Sequence, residues 1–148
     1  MRISAKGRYA LAAVVNMAQR YDEGEFIPAI SISENLGISK IYLEQVFTLL
    51  KKSGIVVSTK GAQGGYKLTQ TPSQITVLDV LVAVEVSLFE QTQETVSKKA
   101  PEIEKALRLA AFDVLEESMR ETLEAIPVSH LVNEAKKYKN DDTTMFYI

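Results

Sequence analysis

The sequence predicts a mainly α-helical fold: a winged helix-turn-helix with a small β-hairpin wing and a long dimerisation helix. Three observations predict it. A short capped helix, a glycine turn at Gly37 and a longer amphipathic helix up to Lys52 follow one another. A glycine-rich hairpin comes directly after them, and a long helical stretch from Pro101 carries more apolar surface than one small body needs. The implied organisation is a winged helix-turn-helix over 1–85, a helical dimerisation region over 86–138 and a flexible C-terminal tail over 139–148.

Taken in order, Ser4 to Arg20 has apolar residues on most sides (Tyr9, Leu11, Val14, Val15, Met17) with alanines between them. This reads as a largely buried helix ended by the polar Asp22-Glu23-Gly24 turn. Phe26-Ile27-Pro28 is a short extended piece. Ser31-Ile32-Ser33-Glu34 has the form of a capping box, so the second helix is expected to start at Ser31 and stop at Gly37. Ser39 then caps a third helix with Leu43, Val46, Phe47 and Leu50 along one face and Gly54 at its end. Ile55 to Thr59 and Tyr66 to Thr69 are strand-like, joined by Lys60-Gly61-Ala62-Gln63-Gly64-Gly65.

Thr76 opens a fourth helix, with Asp79 placed to complete a capping box. Residues 87–100 read as a polar loop. From Pro101, a good first helical residue, the next helix is expected to run to about Ala125, roughly 37 Å. Its apolar positions form two stripes: Ile103, Leu107, Ala110, Ala111 and Val114, and then Phe112, Leu115, Met119, Leu123 and Ile126. One stripe can cover the body; the other needs a second helix, most simply its copy in another subunit. The dimerisation set is therefore Ile103, Leu107, Ala111, Val114, Leu115, Met119 and Leu123. Ser129 is expected to cap a last helix.

Composition narrows the functions. With 148 residues, 46% hydrophobic and 24% charged, the chain is an ordinary globular one. No apolar run spans a bilayer and no signal-peptide pattern follows Met1, so a cytoplasmic protein without a membrane partner is expected. Cys is absent and His130 is the single histidine, which leaves no thiolate chemistry, no usual metal set and little for a catalytic triad. No catalytic residue, metal site or cofactor is assigned. His130, in the first turn of its helix, reads as structural or solvent-facing, and the Glu116-Glu117 and Glu121-Glu124 clusters as a solvated helix face. The net charge of −2 hides a division: residues 1–70 hold nine Lys/Arg against five acids, residues 71–148 eight against fourteen. The basic half can supply a local field for phosphate.

If Leu43, Phe47 and Leu50 pack inward, Ser39, Lys40, Tyr42, Glu44, Gln45 and Lys51 are left outside. Gln reads bases by paired hydrogen bonds, Glu accepts from cytosine amino groups, and Lys and Ser anchor phosphates. The plain alternative is a solvated helix face, but the turn before and the hairpin after favour nucleic acid. A Gly64-Gly65 tip stripped of side chains can enter a minor groove, with Lys60 and Lys67 beside the phosphates. Its alternative is a turn whose glycines merely supply positive φ.

Met1-Arg2-Ile3-Ser4-Ala5-Lys6-Gly7-Arg8-Tyr9-Ala10, Tyr42-Leu43-Glu44-Gln45-Val46-Phe47 and Gly61-Ala62-Gln63-Gly64-Gly65-Tyr66 resemble the bacterial winged-helix regulators that include IscR, NsrR and CymR. The resemblance covers essentially the whole chain. It implies that Glu44 and Gln45 approach bases, that Lys60, Gly64 and Gly65 belong to a wing in the minor groove, and that Arg2, Ser4, Lys6 and Tyr9 lie near the DNA backbone. Ile41 stands where the family often has a small polar residue, and Lys60 where Arg is more usual, which implies a different base preference. Cluster-bearing members have three Cys near 87–100; this chain has none, so iron–sulfur sensing is not expected. Met145-Phe146-Tyr147-Ile148 is similar to the end of the Cys-poor CymR branch. That likeness implies O-acetylserine (thiol)-lyase as a partner, with Phe146, Tyr147 and the Ile148 carboxylate as the inserted tail; a sticky or folded-back terminus is the alternative.

Together these readings predict a homodimeric, sequence-specific DNA-binding transcriptional regulator, a repressor acting on an imperfect palindrome in double-stranded DNA and controlling cysteine or sulfur metabolism. The competing class is a winged-helix protein-interaction module working on a partner protein. An enzyme is not expected.

Overall fold

The computed structural model describes residues 3–91 and 93–146, with 142–146 described by backbone alone. The elements are α1 (Ala5–Ala18), a 3-10 turn (Tyr21–Glu23), α2 (Ala29–Leu36), α3 (Lys40–Lys52), β1 (Val56–Thr59), β2 (Gly65–Leu68) and α4 (Val77–Val84). A long helix follows as α5 (Pro101–Leu107), a π-helical stretch (Arg108–Phe112) and α6 (Asp113–Glu124). The last helix is α7 (Val128–Phe146).

The Ser4 hydroxyl caps α1 by accepting from the Gly7 amide at 3.3 Å. Ala10, Ala13, Val14 and Met17 recur at helical spacing and are buried against α3 and α4. The second helix starts three residues earlier than its capping-box signal predicts, with Pro28 rather than Ser31 before its first turn. The Ile27 amide and carbonyl each pair with Tyr66 at 2.8 Å, which holds the chain extended up to Pro28. Pro28, at φ −62, becomes the residue before the first helical turn. Ser31 is therefore inside α2 and caps nothing; its Oγ accepts from Arg20 Nη1 at 3.1 Å. Gly37, in the left-handed region at φ 67, ends α2 and turns the chain into α3.

Ser39 caps α3 as expected, accepting from the Tyr42 amide at 3.2 Å. Leu43, Val46, Phe47 and Leu50 are fully buried along its inner face. Each such side chain stabilises the fold by about 1.5–3 kcal/mol. Ile55 is not in β1; its amide bonds the Leu50 carbonyl at 3.0 Å and closes the end of α3. The hairpin is antiparallel, pairing Val56 with Leu68 and Thr59 with Gly65. The Phe47 and Tyr66 rings stack with centroids 4.2 Å apart, which fixes β2 on α3. Thr76 and Asp79 form the reciprocal capping box of α4, at 3.1 and 3.0 Å.

The foot of the long helix returns to this body. The Val77 amide bonds the Ile126 carbonyl at 2.9 Å, and the Val128 amide bonds that of Ile75 at 2.8 Å. Leu123 is buried with Val77 and Leu81, and Met119 and Ile126 pack against the same cluster. Of the expected dimerisation set, Leu123 is thus buried within its own chain, and Met119 is half-buried beside it. The reason is angular: α6 turns that part of its second stripe onto α4, and only the upper residues project beyond the body. α7 starts at Val128, so Ser129 lies in its first turn, where its amide donates to Pro72. Within the expected tail, 139–148, the chain is helical as far as Phe146. No Gly or Pro after Pro127 interrupts the helix.

Candidate nucleic-acid interface

The outward surface of α3 is set by its buried row. At about 100° per residue, the direction opposite Leu43, Val46, Phe47 and Leu50 is occupied by Ile41, Gln45, Thr48 and Lys52. All four are exposed. Of these, Gln45 is among the expected DNA-binding residues, and Ile41 is noted above only as a departure from the family pattern. Thr48 and Lys52 have no counterpart in the sequence reading, which selects residues by chemistry rather than by angle from the buried row; a helical wheel centred on that row finds them together with Ile41.

The remaining residues of α3 divide between two flanks. Lys40 and Glu44 turn towards the hairpin and wall a groove with Thr59, Lys60, Gly61 and Gly64. Tyr42 leans the other way, edge to face with Tyr9 of α1 at 5.1 Å between centroids. The first helix is thereby fixed beside the start of α3. Lys51 is exposed, and Ser39 acts as the cap. Lys40 and Glu44 are 3.9 Å apart and both half exposed. Such a pair contributes well under 1 kcal/mol, so each partner is available to a phosphate or a base at little cost.

At the front of α1, Lys6 is half-buried and Ser4 is locally engaged. The Ser4 amide donates to Glu85 Oε1 at 2.9 Å, and its hydroxyl donates to the same oxygen. Glu85, which follows α4, thus holds the start of α1, a contact with no local signal in the sequence. Arg2 lies outside the described residues.

The hairpin tip is Lys60, Gly61, Ala62 and Gln63, all exposed. Gly64 and Gly65 are not at the tip, as the sequence reading had them; they are half-buried where β2 begins. A Cβ on Gly65 would stand 2.2 Å from the Ile27 carbonyl oxygen, and one on Gly64 2.6 Å from that of Thr59. Close backbone approach requires these glycines. Lys67 is also drawn away: its Nζ donates to the Gly24 carbonyl at 2.9 Å and lies 5.7 Å over the Phe26 ring. Lys60 is left as the cation of the tip. The Tyr66 phenol is pushed above its ordinary pKa by burial and then by the nearby Glu44 charge, so it is neutral at physiological pH.

Among the described residues elsewhere, the titratable groups form no comparable assembly. Glu116 pairs with Arg120 at 3.4 Å, and the Arg120 guanidinium lies 4.0 Å over the Phe89 ring. His130 is exposed in the first turn of α7. Among the described residues no helix is long and apolar enough to cross a membrane.

A family model described as Rrf2, iron-dependent transcriptional regulator, matches residues 3–134. The chain belongs to the Rrf2 family. Its members are transcriptional regulators, not enzymes. The HTH-type transcriptional regulator IscR of Photorhabdus laumondii is 46% identical over 88 residues, covering 60% of this chain and 53% of that protein. This Rrf2 chain thus spans about half the length of the curated relatives it matches. Among solved structures, IscR of T. potens is 31% identical, with a TM-score of 0.71 over 93% of this chain and 90% of that one. CymR (YrzC), the global cysteine regulator of B. subtilis, is 27% identical, with a TM-score of 0.69 over 90% of this chain and 98% of that one. The winged helix-turn-helix fold of these regulators is the fold found here.

Iron in the family description does not fit the donors of this Rrf2 chain. It has no Cys and one His, and no group of three His, Cys, Asp or Glu among the described residues is placed to hold an ion. In the segment before α5, the Glu104 carboxylate accepts from the Thr95 and Val96 amides at 3.3 and 3.0 Å.

Proposed function

We propose that this Rrf2 protein is a homodimeric, sequence-specific DNA-binding repressor that works without an iron–sulfur cluster and controls cysteine or sulfur metabolism. One observation carries the reading: Lys40 and Glu44, on the flank of α3 next to its exposed row through Gln45, wall one open groove with the exposed Lys60 of the hairpin tip. A helix that presents a glutamine beside a carboxylate, flanked by lysines, matches the major groove, and the tip reaches the adjacent backbone. Arg2, Lys6 and Tyr9 would extend the contact along the phosphates. The dimer reading is supported by the exposed apolar residues of the long helix, among them Ile103, Leu107, Val114 and Leu115. The metabolic assignment is supported by the similarity to CymR.

The test is selection of duplex sites from random DNA by the purified chain, followed by binding at several salt concentrations. Affinity is expected to fall steeply with salt. Gln45→Ala is expected to relax base preference at one position of each half-site, whereas Lys60→Ala weakens all sequences about equally. Retention of full sequence preference by Gln45→Ala would remove α3 as the reading element. Failure to bind any duplex would favour a protein-interaction module.

Insertion of the tail into O-acetylserine (thiol)-lyase remains part of this proposal. Tyr147 and Ile148 lie outside the described residues, and Phe146 is described by backbone alone. Equal affinity for that enzyme with and without Ile148 would remove it.

A further inference from the structure

We infer that Ile41 is a specificity-determining residue that reads a thymine through its 5-methyl group. The inference rests on the proposed use of α3 as the reading helix and adds a base identity to it. Ile41 is the second residue of α3 and is 74% exposed, more than Ile30 (49%), which lines the neighbouring groove. Folding does not account for it. A β-branched residue is a mediocre helix former, and Ile41 belongs to neither hydrophobic cluster of the protein.

Its surroundings select the kind of surface that covers it. Lys40 precedes it and walls the neighbouring groove with Lys60 opposite, and Lys52 lies further along its row; the nearby acid, Glu44, is paired with Lys40. An exposed apolar side chain on a surface that also carries Lys40, Lys52 and Lys60 suits a polyanion with one apolar feature within the contact. On the base edges of the major groove that feature is the thymine methyl. Ile41 lies one turn before Gln45 on the same row, in the first turn of the helix, the part of a reading helix that reaches base edges. Against cytosine the same side chain would strip water from the amino group and return no hydrogen bond, so the preference for thymine comes from both attraction and rejection.

The experiment uses the duplex site selected by the full chain. Each thymine is replaced in turn by deoxyuridine, which removes the methyl group and leaves the pairing edge unchanged. One thymine per half-site is expected to show a loss of roughly fourfold, the factor for one buried carbon. Ile41→Ser is expected to bind the thymine and deoxyuridine sites equally, and Ile41→Val to keep the difference. Because Ile41 is exposed, both variants should fold, with unchanged thermal unfolding as the check. The inference is overturned if no thymine is methyl-sensitive, or if Ile41→Ser keeps the same sensitivity as the unaltered chain. In either case a loss of preference in Gln45→Ala still upholds α3 as the reading helix, so the two failures are distinct.

Discussion

Gly65 shows how a residue chosen for one reason can be needed for another. Its composition and position suggest a bare tip, but its hydrogen stands where a Cβ would meet the Ile27 carbonyl oxygen at 2.2 Å. Gly65→Ala would push β2 off the Ile27–Tyr66 pairing and cost about 1–3 kcal/mol, as overpacking against a backbone does. A lower urea midpoint at an unchanged slope checks this. Tyr66 gives a pH prediction. Its folded pKa lies above the ordinary value of 10.0 because of burial and Glu44. The neutral phenol is therefore favoured by folding, a contribution fully present below pH 10 and lost as pH rises through the folded value. Between pH 8 and pH 11 Tyr66→Phe is expected to lose less stability than the unaltered chain, measured by urea unfolding. The residue types at the interface are legible in the sequence, because chemistry nominates Gln45, Glu44 and Lys60. Direction is less so: Lys67 is held by the Gly24 carbonyl, and Thr48 and Lys52 emerge only once the buried row of α3 sets an angle.

At the scale of elements, starts and stops with a local cause were readable. Ser39, Thr76 with Asp79, Gly37 and Pro101 sit where their own backbone chemistry places them. The start of α2 was not readable, because it is decided by Ile27 pairing with a strand almost forty residues away in sequence. The π-helical stretch Arg108–Phe112 also has no local cause in the sequence. It inserts one extra residue into the long helix, which turns α5 by about 100° relative to α6. Deletion of Ala110 is expected to remove the extra residue and the π stretch together, leaving a regular helix with Ile103 and Leu107 close to their present angles relative to Val114. The thermal stability of the winged body and any self-association through this helix should both be retained, read by calorimetry and sedimentation on the same variant.

For the whole molecule, the division of labour along the long helix is the main result. Its foot is buried with α4 through Leu123, while Val114 and Leu115 stand 59% and 68% exposed further up. Exposed apolar residues of this size along one helix fit a partner helix. The double substitution Val114→Asp with Leu115→Asp is expected to give a monomer by sedimentation, with the unfolding midpoint of the winged body retained. Site affinity should fall by at least tenfold, because two half-sites are no longer read together. A dimer that persists with full site affinity would place the subunit contact elsewhere. α7 adds a further difference at this scale: the region read as a tether is a helix to Phe146, packed against α1 in its first part.

Periodicity, capping residues and glycine spacing act over a few residues, and these alone determined that the chain forms a helix pair about a glycine turn, a basic hairpin and a long amphipathic helix. The absence of Cys likewise settles the thiolate chemistry without any coordinates. Tertiary structure alone decided which half of the long helix is covered, where α2 begins, which lysine remains at the tip and which row of α3 faces outward. Each of those depends on contacts between residues far apart in sequence, and burial is a property of the assembled body that no local window contains.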